Sequence, residues 1–177
     1  DPRVLGCFLS PRDKYRPVHF SNNEVFCGPD MVDNIASDGR VHSLKTPSGQ
    51  FDIDKVIHRL PQNQHPELFI VKPDATKRLF PVNTHKLNCP RVLCLGNTQH
   101  LQTPIQTLLK YAQEEQFDII FSDHKRHHLH FFRDAGLGPV AWLPALNFTP
   151  LTVNEQTKSI PAVFVGQTGK FHPYRRY

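Results

Sequence analysis

A chain of 177 residues is long enough to bury the core of one domain without disulfide or metal staples, and its 38% hydrophobic content argues against disorder throughout. No run approaches the roughly 20 apolar residues of a membrane span, and no basic, then apolar, leader opens the chain, so the protein reads as cytoplasmic. The net charge of +5 is spread thinly, with adjacent basic residues in pairs such as Lys125-Arg126 and Arg175-Arg176 and in no longer run, which excludes a dense nucleic-acid-binding stripe.

The first apolar run, residues 4 to 9, is short and continuous, as a strand buried on both faces is, and ends at Ser10-Pro11. Residues 12 to 38 carry Pro17, Gly28, Pro29 and two adjacent asparagines, which predicts a long irregular loop with at most a short helical turn. A short strand follows at 41–44. After the turn Thr46-Pro47-Ser48-Gly49, the spacing of Ile53, Val56, Ile57 and Leu60 predicts a helix over 52–60, stopped by Pro61.

Residues 67–72 read as the next strand, a weak helical segment runs through Leu79 and Phe80 to Leu87, and 91–96 is a further strand. Thr103-Pro104 is a helix start, an N-cap residue followed by proline at the first helical position. Its expected buried face is Ile105, Leu108, Leu109 and Ala112. A strand at 117–122, a helix at 125–135 ended by Gly136, and a strand at 140–143 complete the series, and an apolar run recurs at 162–166. Strands alternating with longer connections predict a Rossmann-like, doubly wound, mostly parallel sheet.

Of the four cysteines, Cys7 and Cys94 lie inside strands and none has metal-ligand spacing, so buried free thiols are expected. In open parallel sheets ligands bind beyond the carboxyl ends of the strands. That edge would gather Arg12, Asp13 and His19 after the first strand, Lys72 and Asp74 after the third, Asn97, Thr98, Gln99 and His100 after the fourth, and Ser122, Asp123, His124 and Lys125 after the fifth.

His100 is the candidate general base, because an imidazole can take a hydroxyl proton near neutral pH, with Asp74 or Asp123 orienting it. Asp13 and His19 offer an alternative base position. Asp74, Asn97 and Asp123 are equally residues that cap turns and helices.

His124 and His128 stand four apart, a spacing that can share a metal, but Lys125 and Arg126 between them oppose a cation. A basic helix start suits an anion or a substrate better, so no metal is expected. Neither GxGxxG after the first strand nor GxxxxGK[ST] occurs, which disfavours nicotinamide enzymes and P-loop NTPases. The first strand's Pro-Arg-Asp exit also disfavours a receiver or flavodoxin-like domain. Gly166, Gln167, Thr168 and Gly169 follow an apolar run, with Arg175 beyond, and could cradle phosphate.

The segment FDIIFSDHKRHHLHFFRDAGLGPVAW, then LPAL, then AVFVGQTGKFHPYRRY, resembles spore-maturation (CgeB-like) glycosyltransferases, a bacterial-type GT-B family. The resemblance is carried by about the last 60 residues; EVFCGPD and residues 39–110 are compatible with it. It implies an acceptor-side Rossmann-like domain over 1–150, a linker over 151–161, and the start of a nucleotide-sugar-binding domain over 162–177.

It also implies a transferase that needs no cofactor, in which helix N-termini and basic side chains such as those of 166–176 stabilise the leaving nucleotide. The donor would be a nucleotide sugar and the acceptor a glycan, peptide or small molecule. This chain alone would not transfer sugar. The competing expectation is a non-catalytic Rossmann-like module that binds a protein, a glycan or a small anion.

Overall fold

The computed structural model describes residues 2–9, 23–73, 77–96, 98, 103–122 and 126–143. The chain divides after Ala145, and all described residues belong to the unit Asp1–Ala145. Their architecture is a mixed α/β fold around one large, mostly parallel sheet of eight strands, compatible with a Rossmann-like fold.

The strands are β1 Val4–Cys7, β2 Glu24–Gly28, β3 Asn34–Ile35, β4 Val41–Lys45, β6 Leu68–Val71, β8 Arg91–Leu95, β9 Ile119–Ser122 and β10 Val140–Trp142. Across the sheet they run β10-β9-β8-β6-β1-β2-β4-β3, with only β3 antiparallel to its neighbour. Ranked by chain order, the parallel strands lie third, second, first, then fourth onward, the arrangement of dinucleotide-binding sheets. The chain moves outward from β1 to β4, crosses back to β6 and moves outward again, so its direction reverses between β1 and β6.

Strand alternation divides the sheet's two faces. Leu5, Cys7, Val25, Cys27, Leu44, Phe69, Val71, Leu93, Leu95 and Ile120 belong to one core cluster. The helices α1 Asp54–Ile57, α2 Pro104–Glu115 and α3 Leu129–Asp134 add Val56, then Leu108, Tyr111 and Ala112, then Leu129 and Phe132 to the same cluster. Val92, Cys94 and Phe121 form a smaller cluster, and the register places them on the opposite face.

This distribution has a topological cause. The crossovers β4 to β6, β6 to β8, β8 to β9 and β9 to β10 all travel one way across the sheet, so right-handed connections lay them on one face.

Several expectations change. The expected loop over 12–38 contains β2, whose Val25 and Cys27 are buried between β1 and β4, and the short edge strand β3. The helix expected over 52–60 is one turn, Asp54–Ile57, because Gly49–Asp52 is already committed as strand β5.

The helical segment expected from Leu79 to Leu87 is strand β7, Leu79–Val82, then a 3-10 turn at Thr84–Lys86. Pairing of β5 with β7 in a separate two-stranded parallel sheet overrides the weak helical spacing, and buries Leu79 and Phe80. Finally, Thr103 makes no side-chain cap at α2; its carbonyl receives Thr107 N at 3.0 Å, and Pro104 occupies the first turn as expected. The buried face of α2 is Leu108, Tyr111, Ala112 and Glu115, with Ile105 and Leu109 only partly covered.

The helix expected over 125–135 is observed as a 3-10 turn Arg126–His128 leading into α3. Its stop follows the glycine rule: Gly136 has φ 72°, Gly136 N bonds Arg133 O at 2.9 Å, and Leu137 N bonds Phe132 O at 3.0 Å.

Candidate functional site

The parallel strands leave the sheet on one edge: β1 at Cys7, β2 at Gly28, β4 at Lys45, β6 at Val71, β8 at Leu95, β9 at Ser122 and β10 at Trp142. Because chain direction reverses between β1 and β6, the crevice of such sheets opens there.

The edge is tightly built near β1. Phe8 N continues the ladder to Cys27 O at 2.9 Å, and Lys72 N bonds Cys7 O at 3.0 Å. A Cβ on Gly28 would fall 1.7 Å from the Phe8 carbonyl oxygen, so only glycine lets the chain leave β1 across β2. A Cβ on Gly96 would meet Lys72 Cε at 2.8 Å; the lysine stem therefore lies against the exit of β8.

Cys7 and Cys27 face each other in register with sulfurs 2.8 Å apart, both buried and both free thiols. Burial pushes the Cys7 thiol well above its usual pKa, and the hydrogen bond and charge of Cys27 push the same way. A thiol held protonated is a poor nucleophile, so this pair belongs to the core.

Of the residues expected at this edge, Lys72, Ser122 and Thr98 lie among the described ones. Thr98 is buried, and its hydroxyl is hydrogen-bonded to His128 Nδ1. This contact ties the exit of β8 to the turn after β9, as does Ser122 Oγ, which donates to Leu95 O at 3.2 Å. The expectations placed on Arg12, Asp13, His19, Asp74, Asn97, Gln99, His100, Asp123, His124, Lys125, Gly166, Gln167, Thr168, Gly169 and Arg175 lie outside the described residues.

The structure adds a group that sequence reading did not assemble. Between α3 and the edge strand β10 lies a pocket of about 800 Å3, lined by Arg126, His127, His130 and Arg133 over Leu129, Val140 and Trp142. The Arg126 guanidinium sits 5.6 Å from the centre of the Trp142 ring, a cation–π distance. His130 Nδ1 donates to His127 O at 2.5 Å, holding that ring against the turn.

The basic side chains face outward because Leu129 and Phe132, between them in sequence, are the residues α3 buries. Trp142 reaches the pocket because it pairs in register with Ser122, at the point where the chain leaves β9. The run of basic residues after the fifth expected strand was the signal for this site; the strand pairing that supplies its indole wall was not legible.

Neither family models nor curated proteins nor solved structures give a match. Functional reading therefore rests on these residues. Among the described residues no cluster of three or more potential metal ligands occurs, and no helix is long and apolar enough to cross a membrane.

Proposed function

We propose that this chain is the acceptor-side portion of a cytoplasmic, metal-independent glycosyltransferase that uses a nucleotide-sugar donor. The observation that carries the reading is the unit β9–α3–β10. Its strand, glycine-stopped helix and strand have the order of the first of the segments that carry the resemblance to CgeB-like enzymes. The carboxyl edge beside it supplies an open, basic pocket for a substrate.

On this reading His100 is the base that takes the acceptor hydroxyl proton, with Asp74 or Asp123 orienting it. Donor phosphates fall to residues 166–176 and to the domain they would open, where helix N-termini and basic side chains stabilise the leaving group.

The test is a nucleotide-sugar binding and hydrolysis screen on this chain and on the same chain extended by its donor-binding half. Donor binding and turnover by the extended protein, with neither in this chain alone, is the expected result. Absence of donor binding in both, with both folded by circular dichroism, refutes the transferase reading.

A further inference from the structure

The pocket between α3 and β10 has a chemical signature of its own. His130 and Arg133, three apart on α3, share a face, and Arg126 from the preceding 3-10 turn lines the same pocket. Among the described residues none that lines the pocket is acidic. Arg133 is partly engaged, bonded to the exposed carboxylate of Asp134 at 3.1 Å, whereas no described carboxylate reaches Arg126.

The second half of the signature is apolar. Trp142 remains 43% exposed although it stands beside Val140 and the buried Leu129. An indole left open to water next to aliphatic floor is a surface on which the face of a ring can lie. The guanidinium over it presents a planar donor fork suited to carboxylate or phosphate oxygens. Anion recognition and ring recognition are thus within one side chain's length of each other.

We propose that this pocket binds a sugar bearing a carboxylate or phosphate group, with the ring against Trp142 and the anion held by Arg126 and Arg133. This deepens the proposed function and rests on it, naming an anionic sugar as the acceptor class. It also accounts for a strongly basic turn beside the strand edge, which a neutral acceptor does not require.

Trp142 is the single tryptophan of the chain, so tryptophan emission, excited where tyrosine does not absorb, reports on this pocket. The experiment is a fluorescence titration of the protein with glucuronic acid, glucose 6-phosphate, neutral glucose and inorganic phosphate. A saturable change with at least one anionic sugar is expected, at concentrations about tenfold or more below any response to glucose, because a charge-assisted fork is lost with the neutral sugar. The preferred probe of the two distinguishes carboxylate from phosphate.

Arg126→Ala and Arg133→Ala, both at exposed positions, should each weaken binding by about tenfold with unchanged circular dichroism. Three results overturn the proposal: no emission change with either anionic sugar up to about 10 mM, weaker than ordinary weak binding; a response to inorganic phosphate equal to that to glucose 6-phosphate, meaning an adventitious ion only; or full affinity in the double variant.

Failure of the transferase reading is separable. Anionic-sugar binding at Trp142 without turnover in the extended protein leaves the pocket standing and removes the enzyme. Transfer onto a neutral sugar with Trp142 silent does the reverse.

Discussion

Glu115, at the end of α2, is a buried carboxylate that accepts three hydrogen bonds. Its carboxyl accepts Thr84 N at 2.6 Å, Thr84 Oγ1 at 2.9 Å and Asn83 N at 3.2 Å, with His85 Nδ1 3.7 Å away. Glu115 is 5% exposed and Thr84 fully buried, so water cannot replace the two bonds to Thr84.

In Glu115→Ala the Thr84 hydroxyl can turn to another acceptor, but two backbone N–H groups lose theirs, each at about 1–3 kcal/mol, for roughly 3–5 kcal/mol in all with the lost charge-assisted character. For a chain of this size that is a fall in Tm of roughly 10 °C or more. Glu115→Gln keeps one acceptor oxygen but turns an amide donor toward donors, at about 1–2 kcal/mol.

Urea unfolding followed by circular dichroism measures both variants. A double-mutant cycle with Thr84→Val should return a coupling of about 1–2 kcal/mol. Glu115→Ala within about 1 kcal/mol of the parent, or no coupling to Thr84, would refute the reasoning.

Three further outcomes follow from the geometry. Gly28→Ala places a Cβ 1.7 Å from a backbone oxygen and should cost about 3 kcal/mol, whereas Gly39→Ala, at φ 82° with open space around it, should cost about 1 kcal/mol; urea midpoints in the opposite order exclude the close-approach argument. The Arg91 guanidinium, bonded to both Asp118 oxygens at 3.1 and 3.2 Å, holds the Asp118 carboxyl below its ordinary pKa. Its stabilisation is therefore present above the unfolded pKa and lost as pH falls through the lowered folded value. Asp118→Asn should cost about 1 kcal/mol at pH 7, discounted for the half-exposed carboxylate, and progressively less as pH falls through that lowered value; a pH-independent difference between the two proteins contradicts the assignment. Finally, the folded chain should release at most the half-buried Cys89 to a disulfide reagent and all four thiols once denatured; rapid mass-spectrometric labelling of Cys7 or Cys27 in the folded protein would show the core assignment to be wrong.

Much of the sheet was legible because the buried parallel strands are short, continuous apolar runs: residues 4–9, 67–72, 91–96 and 117–122 enclose β1, β6, β8 and β9. β2 was not, although EVFCG is equally apolar, because prolines, glycines and paired asparagines around it suggested loop. β5 and β7 escaped for another reason. Each is four residues long and becomes a strand only by pairing with the other across 30 residues of chain, a long-range term no local spacing reports. At the candidate site the basic run was readable and its partner was not, since Trp142 joins it only through the register of β9 with β10.

A fold of this kind hosts many functions, so the choice between enzyme and binding module must come from side chains. The bridge between the two is the Thr98–His128 contact. His128 lies in the same turn as Arg126 and His127, which line the pocket, and Thr98 stands two residues before His100, the proposed base. Both readings use the pocket, but only the enzyme needs the base.

His100→Ala should therefore abolish transfer by the extended protein, a loss of at least about a hundredfold in kcat, while Trp142 still responds to the anionic sugar with unchanged affinity. Thr98→Val, which breaks the tie between the β8 exit and the pocket turn, should weaken both. Turnover that survives His100→Ala undiminished would assign the proton transfer to the other base position, Asp13 or His19. Loss of sugar binding in His100→Ala would instead make His100 a contact of the pocket, and its role one of recognition.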